Sequence, residues 1–187
     1  MHKFDENLIL KKYLIQYKPF LVFLGSFFGC YILLTVLYQF FLNSYENSKV
    51  DAVTYLVAQN TETVISWFYQ SIRVLDSENE PFLKVFFQGI YVVRIVEGCN
   101  AISVIILFAS FIVAFSGSLK NTLLFILGGS LLIYILNVFR IAALIVLIFN
   151  FPAQSRLLHD IFFPAIIYGL VFVLWVIWVN KFSKYAK

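Results

Sequence analysis

Charged side chains are scarce in this chain: Asp, Glu, Lys and Arg make up 13% of its 187 residues, against 61% hydrophobic. A globule of that size cannot hide so much apolar surface from water. A soluble domain is therefore excluded, and an integral membrane protein is expected. Cysteine is nearly missing too. Of the two present, Cys30 lies inside an apolar run and Cys99 follows a glycine at the start of another, so neither a disulfide framework nor a bridge between them is expected. Histidine is equally rare. One Cys and one His, with Glu97 and Asp160 as the nearby carboxylates, form a thin ligand set without zinc-like spacing, and no metal is expected. Also absent are a glycine-rich phosphate loop, a Gly-x-Ser-x-Gly elbow and a His-Glu-x-x-His helix. No cofactor is implied.

What is present is a series of long apolar runs punctuated by lysine. The net charge of +4 would suggest acidic partners in a soluble protein. Here Lys and Arg mostly flank apolar runs, so they report orientation in a membrane and not nucleic-acid binding. The pattern predicts four transmembrane helices at about 20–42, 99–117, 122–149 and 161–180, within one polytopic domain covering 1–187. Lys3, Lys11, Lys12 and Lys18 precede the first span, which reads as an uncleaved anchor. Lys120 marks the turn between the second and third, and Lys181, Lys184 and Lys187 follow the fourth. The positive-inside rule then puts both termini in the cytoplasm. The third run exceeds one bilayer crossing, so it must tilt, break or project beyond the membrane.

Segment 46–98 carries most of the acidic residues and belongs outside. Within it, Val53, Leu56, Val57, Val64, Trp67, Phe68, Ile72 and Leu75 recur at helical spacing, as in a helix lying on the membrane surface or a cap packed on the bundle. Val85-Phe86-Phe87, Gln88-Gly89 and Ile90 to Val96 resemble a short hairpin leading into Cys99. The expected fold class is thus an all-α integral membrane protein with an extracytoplasmic amphipathic helix or hairpin.

Three polar residues fall at the outer ends of these spans: Cys99, Arg140 and His159. A thiol at a helix start is favoured as thiolate by unpaired amides and the helix dipole. Arg140 lies about 27 Å along its helix from Thr122. A guanidinium in an apolar helix costs a few kcal/mol and persists mainly where it pairs or works. Asn137 shares its helical face. His159, beside Asp160, is the natural proton carrier. Glu97 is positioned either to raise the thiol pKa by repulsion or to orient the imidazole. Snorkelling explains Arg140 without function, and a boundary residue explains His159.

The segments Val96-Glu97-Gly98-Cys99-Asn100-Ala101-Ile102 and Asn137-Val138-Phe139-Arg140-Ile141, with the region of His159, resemble the exosortase/archaeosortase family of membrane transpeptidases, in particular the exosortase F type. That family uses Cys, Arg and His in this chain order; many members place Ser or Thr and then Gly after the cysteine, where this chain has Asn100-Ala101. The resemblance implies a cysteine protease or transpeptidase of the bacterial cytoplasmic membrane, with its site on the extracytoplasmic face. It would cleave the hydrophobic, basic-ended C-terminal tails of exported proteins and pass them to an envelope acceptor through a thioester. Catalysis would fall to Cys99, Arg140 and His159, with Glu97, Asn100, Asn137 and Asp160 in support. The rival readings are a non-enzymatic envelope scaffold and a small anion- or lipid-binding transporter.

Overall fold

The computed structural model describes residues 13–46, 49–78, 80–115 and 117–183. His2, Lys3, Lys11, Lys12, Lys184 and Lys187 lie outside them. Among the described residues, five longer α-helices and a three-stranded sheet order the chain: α1 (Lys18–Leu42), α2 (Ala52–Ser66), β1 (Ile72–Asp76), β2 (Leu83–Phe87), β3 (Ile90–Ile95), α3 (Ile102–Ala114), α4 (Leu119–Asn150) and α5 (Phe163–Lys181). The protein is mostly helical, but the antiparallel sheet β1-β2-β3 corrects the all-α expectation.

Three helical stretches, Lys18–Leu42, Leu119–Asn150 and Pro152–Lys181, are long and apolar enough to cross a membrane. The stretch expected as a span at 99–117 is shorter. Its helix α3 has 13 residues, about 20 Å against a hydrocarbon core of about 30 Å. By contrast α4 is one unbroken helix of 32 residues, about 48 Å long. The third run therefore does not break.

Two cores share α4. Midway along it, Ile133 packs with Phe108 and Ile112 of α3 and with Val171, Leu174 and Trp178 of α5. Gly129 admits the closest approach, since a Cβ there would lie 2.3 Å from the Phe108 ring. Toward its end, Val138, Ile141, Ala142 and Ile145 pack against Val57, Ala58 and Ile65 of α2 and against Leu83, Val85 and Phe87 of β2. The segment between α1 and α3 is thus a cap seated on the second half of α4, which α2 meets through Val57, Ala58 and Ile65 while Tyr55 and Leu56 stay exposed.

Local chemistry explains the cap. The Asp51 carboxylate accepts from the amides of Val53 and Thr54, both at 3.0 Å, and starts α2, a capping bond worth about 1 kcal/mol. The helix ends at Ser66, earlier than the apolar spacing through Leu75 suggested. Ile72 and Val74 are taken instead by antiparallel pairing with Phe87 and Val85, where β-branched side chains fit a pleated, half-buried surface. Leu83, Val85 and Phe87 are buried in strict alternation, the period of a strand with one face on a core. Gln88 and Gly89 have φ of 51° and 78°, the two positive values that a tight hairpin turn requires.

The two ends of the bundle differ in charge. A backbone bridge pairs Gly117 with Ser183, and the Trp178 indole donates to the Phe115 carbonyl at 2.9 Å. Phe23 packs on Phe111 and Phe115, with ring centroids 6.1 and 4.6 Å apart. Lys18, Lys120 and Lys181 consequently share one end, and the acidic cap occupies the other.

Candidate functional site

Cys99 does not open a helix. It closes a 3-10 turn, Glu97–Cys99, three residues ahead of α3, and its own amide donates to the Val96 carbonyl at 2.8 Å. Asn100, only 2% exposed, holds the turn from the other side. Its amide nitrogen donates to the Tyr38 hydroxyl at 2.7 Å and to Thr54 Oγ1 at 3.0 Å, while its oxygen accepts from the Ile102 amide. The Tyr38 hydroxyl in turn donates to Glu97 Oε1 at 2.8 Å. One side-chain network therefore joins α1, α2 and the turn.

Ala101 then enters α3 with φ of 63° and ψ of 8°. This left-handed conformation costs a residue with a Cβ about 1–2 kcal/mol and glycine nothing comparable.

Asn137 provides the link to α4. Fully buried, it donates to the Cys99 carbonyl at 2.7 Å and accepts from the Arg140 guanidinium at 3.3 Å. Arg140 Nε is buried without a hydrogen-bond partner. Cys99 and Arg140 are thus brought to one junction through Asn137, where the bundle meets the cap. Along α4 the exposed apolar stripe of Leu119, Leu123, Leu127, Leu131, Ile135 and Phe139 ends just past Asn137. Between Phe139 and Asn150 no large apolar side chain of this helix is exposed. The stripe is about 30 Å long, comparable to one bilayer core, and Asn137, which holds the Cys99 carbonyl, lies near its end.

His159 stands apart from that pair. It lies in a π-helical turn, Leu158–Phe162, leading into α5, and its Nδ1 meets Asp160 Oδ1 at 2.7 Å, both side chains more than half exposed. No hydrogen bond joins it to Cys99 or Arg140. Glu97 is held by Tyr38, and among the described residues no ion pair connects it to Arg94, Arg140 or His159. The carboxylate that orients the imidazole is therefore Asp160. No group of three or more metal-binding side chains occurs among the described residues.

An open cleft of about 620 Å³ adjoins the turn. Glu97 and Gly98 form part of its wall, with Asp51, Glu80, Phe82 and Arg94 around it. The Arg94 guanidinium lies over the Phe82 ring, 5.5 Å from its centroid.

Sequence reasoning missed Tyr38 and Thr54. A tyrosine within an uncharged span carries no pattern of its own, and only the fold sets it beside Glu97 and Asn100.

No protein-family model, curated protein or solved structure matches the chain. The membrane-embedded class rests on the three long apolar helices.

Proposed function

We propose that this chain is a membrane-embedded cysteine peptidase or transpeptidase of exosortase type. The observation that carries the reading is the Asn137 bridge, which sets the Cys99 turn and the Arg140 guanidinium together at the bundle–cap junction. The shared end of Lys18, Lys120 and Lys181 supports four crossings by α1, α3, α4 and α5. Both termini then lie in the cytoplasm of a bacterial inner membrane, with the cap and Cys99 outside.

In this reaction the Cys99 thiolate attacks the carbonyl carbon of the scissile peptide bond. A C–S bond forms, and the tetrahedral oxyanion is stabilised by Arg140. His159, oriented through Nδ1 by Asp160, gives a proton from Nε2 to the departing amine as the C–N bond breaks. An acceptor amine or hydroxyl, or water, then attacks the thioester, its proton passes to His159, and the C–S bond breaks to return the thiolate. Closure on substrate must carry His159 toward Cys99, and the π-helical turn Leu158–Phe162 is the element that would absorb that shift. Substrates are exported proteins with a hydrophobic, basic-ended C-terminal tail.

A second reading has an observation of its own: Asn137 satisfies the Cys99 backbone carbonyl, not its thiol, as a purely structural tie would. In a non-enzymatic envelope scaffold the trio would have no chemistry. Comparing membrane and surface proteins by mass spectrometry in cells carrying the native chain or Cys99→Ala separates the two. Precursors with intact tails accumulating only in the variant support the peptidase. Identical profiles at equal expression and insertion support the scaffold.

A further inference from the structure

The cap exposes an aromatic turn at the level where α4 stops facing lipid. Trp67 closes α2 with 65% of its surface exposed, and Phe68 follows with 77%. Tyr69 is anchored behind them, its ring edge-on to Phe87 at 5.1 Å. Phe68 and Tyr69 face α4 across an apolar groove of about 380 Å³ whose opposite wall includes Phe139, Ala143 and Leu147. Phe139 is both the last member of the lipid-facing stripe and part of this groove, so one continuous apolar surface passes from the spanning helix to the cap.

We propose that the Trp67–Tyr69 turn inserts into the interfacial layer of the bilayer that α4 crosses, with lipid as the occupant of the adjoining groove. Three observations favour lipid over a second protein. The surface is continuous with the membrane-facing stripe. The groove walls carry no Asp, Glu, Lys, Arg or His that a protein partner would pair. Tryptophan and tyrosine, apolar bodies with one polar handle, are the side chains suited to the headgroup boundary. A second attachment beyond α4 then fixes the cap's tilt over the membrane. This holds whether or not Cys99 is catalytic.

Intrinsic fluorescence tests it, since the chain has three tryptophans: Trp67 here and Trp175 and Trp178 in α5. The full-length protein and Trp67→Phe are reconstituted in phosphatidylcholine bilayers, and the difference between them isolates Trp67. With lipids brominated near the headgroup end of the acyl chain, the difference signal should fall several-fold; bromine near the chain terminus should quench it less, and aqueous iodide little. Quenching by iodide with indifference to brominated lipid puts the turn in water and overturns the proposal. Protection from both quenchers means that protein covers it, and overturns it equally. Phe68→Trp, read as the signal gained over the native chain, gives the same answer should Trp67→Phe misfold.

Discussion

Ala101 holds a conformation that its own Cβ opposes, φ 63°, immediately after the segment bearing Cys99. Ala101→Gly should relieve it. The left-handed penalty of about 1–2 kcal/mol, less the backbone entropy glycine loses on folding, leaves a gain of about 0.5–1 kcal/mol, read as a raised midpoint in thermal unfolding in detergent. A lowered midpoint would mean that the alanine methyl packs more favourably than the backbone strain costs. Asn137→Ala should act in the opposite sense. It strips the Cys99 carbonyl of its donor and Arg140 of its acceptor, a loss of about 1–3 kcal/mol by the same measurement. An unchanged midpoint would show that water replaces the amide at this junction. At this scale the sequence was partly legible. Cys99, Arg140, Asn137 and the His159–Asp160 pair stand out because polar groups are expensive in an apolar chain. Their pairing was not legible: Glu97 turns to Tyr38, 59 residues away in a different helix, and no local pattern announces such a contact.

Among the elements, α3 and α4 come close where Gly129 faces Phe108. A methyl at position 129 would fall 2.3 Å from the Phe108 ring. Gly129→Ala should therefore destabilise by about 1–3 kcal/mol through overpacking. Phe108→Leu in the same chain should recover part of that loss, so the two changes should be strongly non-additive in a double-mutant cycle. Additivity would place the cost elsewhere than the ring. Apolar runs gave the positions of α1, α4 and α5 well, because length and hydropathy are local properties. Where the run from 53 to 75 changes from helix to strand was hidden: Ile72 and Val74 suit either period, and pairing with β2 decides. The hairpin was readable through Gln88-Gly89, since a tight turn leaves a local mark. The helix of the second apolar run starts at Ile102 and not at Cys99, because Asn100 spends its side chain on a turn.

For the whole molecule the question is how many times the chain crosses. With Lys18, Lys120 and Lys181 at one end, reporter fusions after residues 17 and 183 should both read cytoplasmic, and a reporter in the 77–81 loop extracytoplasmic. Opposite readings for the two ends would reduce the crossings to an odd number and turn the cap arrangement over. The two-core architecture could not be read from composition. Nothing in the sequence says that the second half of one long apolar helix is covered by the cap while the first half packs on α3 and α5 and leaves an apolar stripe exposed; that division depends on where α2 and β2 dock.

The shortness of α3 has a consequence for water. Tyr38 meets Glu97 and Asn100 with one further turn of α1 still to run, and Asn137 meets Cys99 with 13 residues of α4 beyond it. The longer helices therefore continue past the turn, beside the open cleft of about 620 Å³ whose wall includes Glu97 and Gly98. In the proposed reaction water can then approach a thioester formed there as an acceptor can, so transfer would depend on an acceptor docked ahead of it.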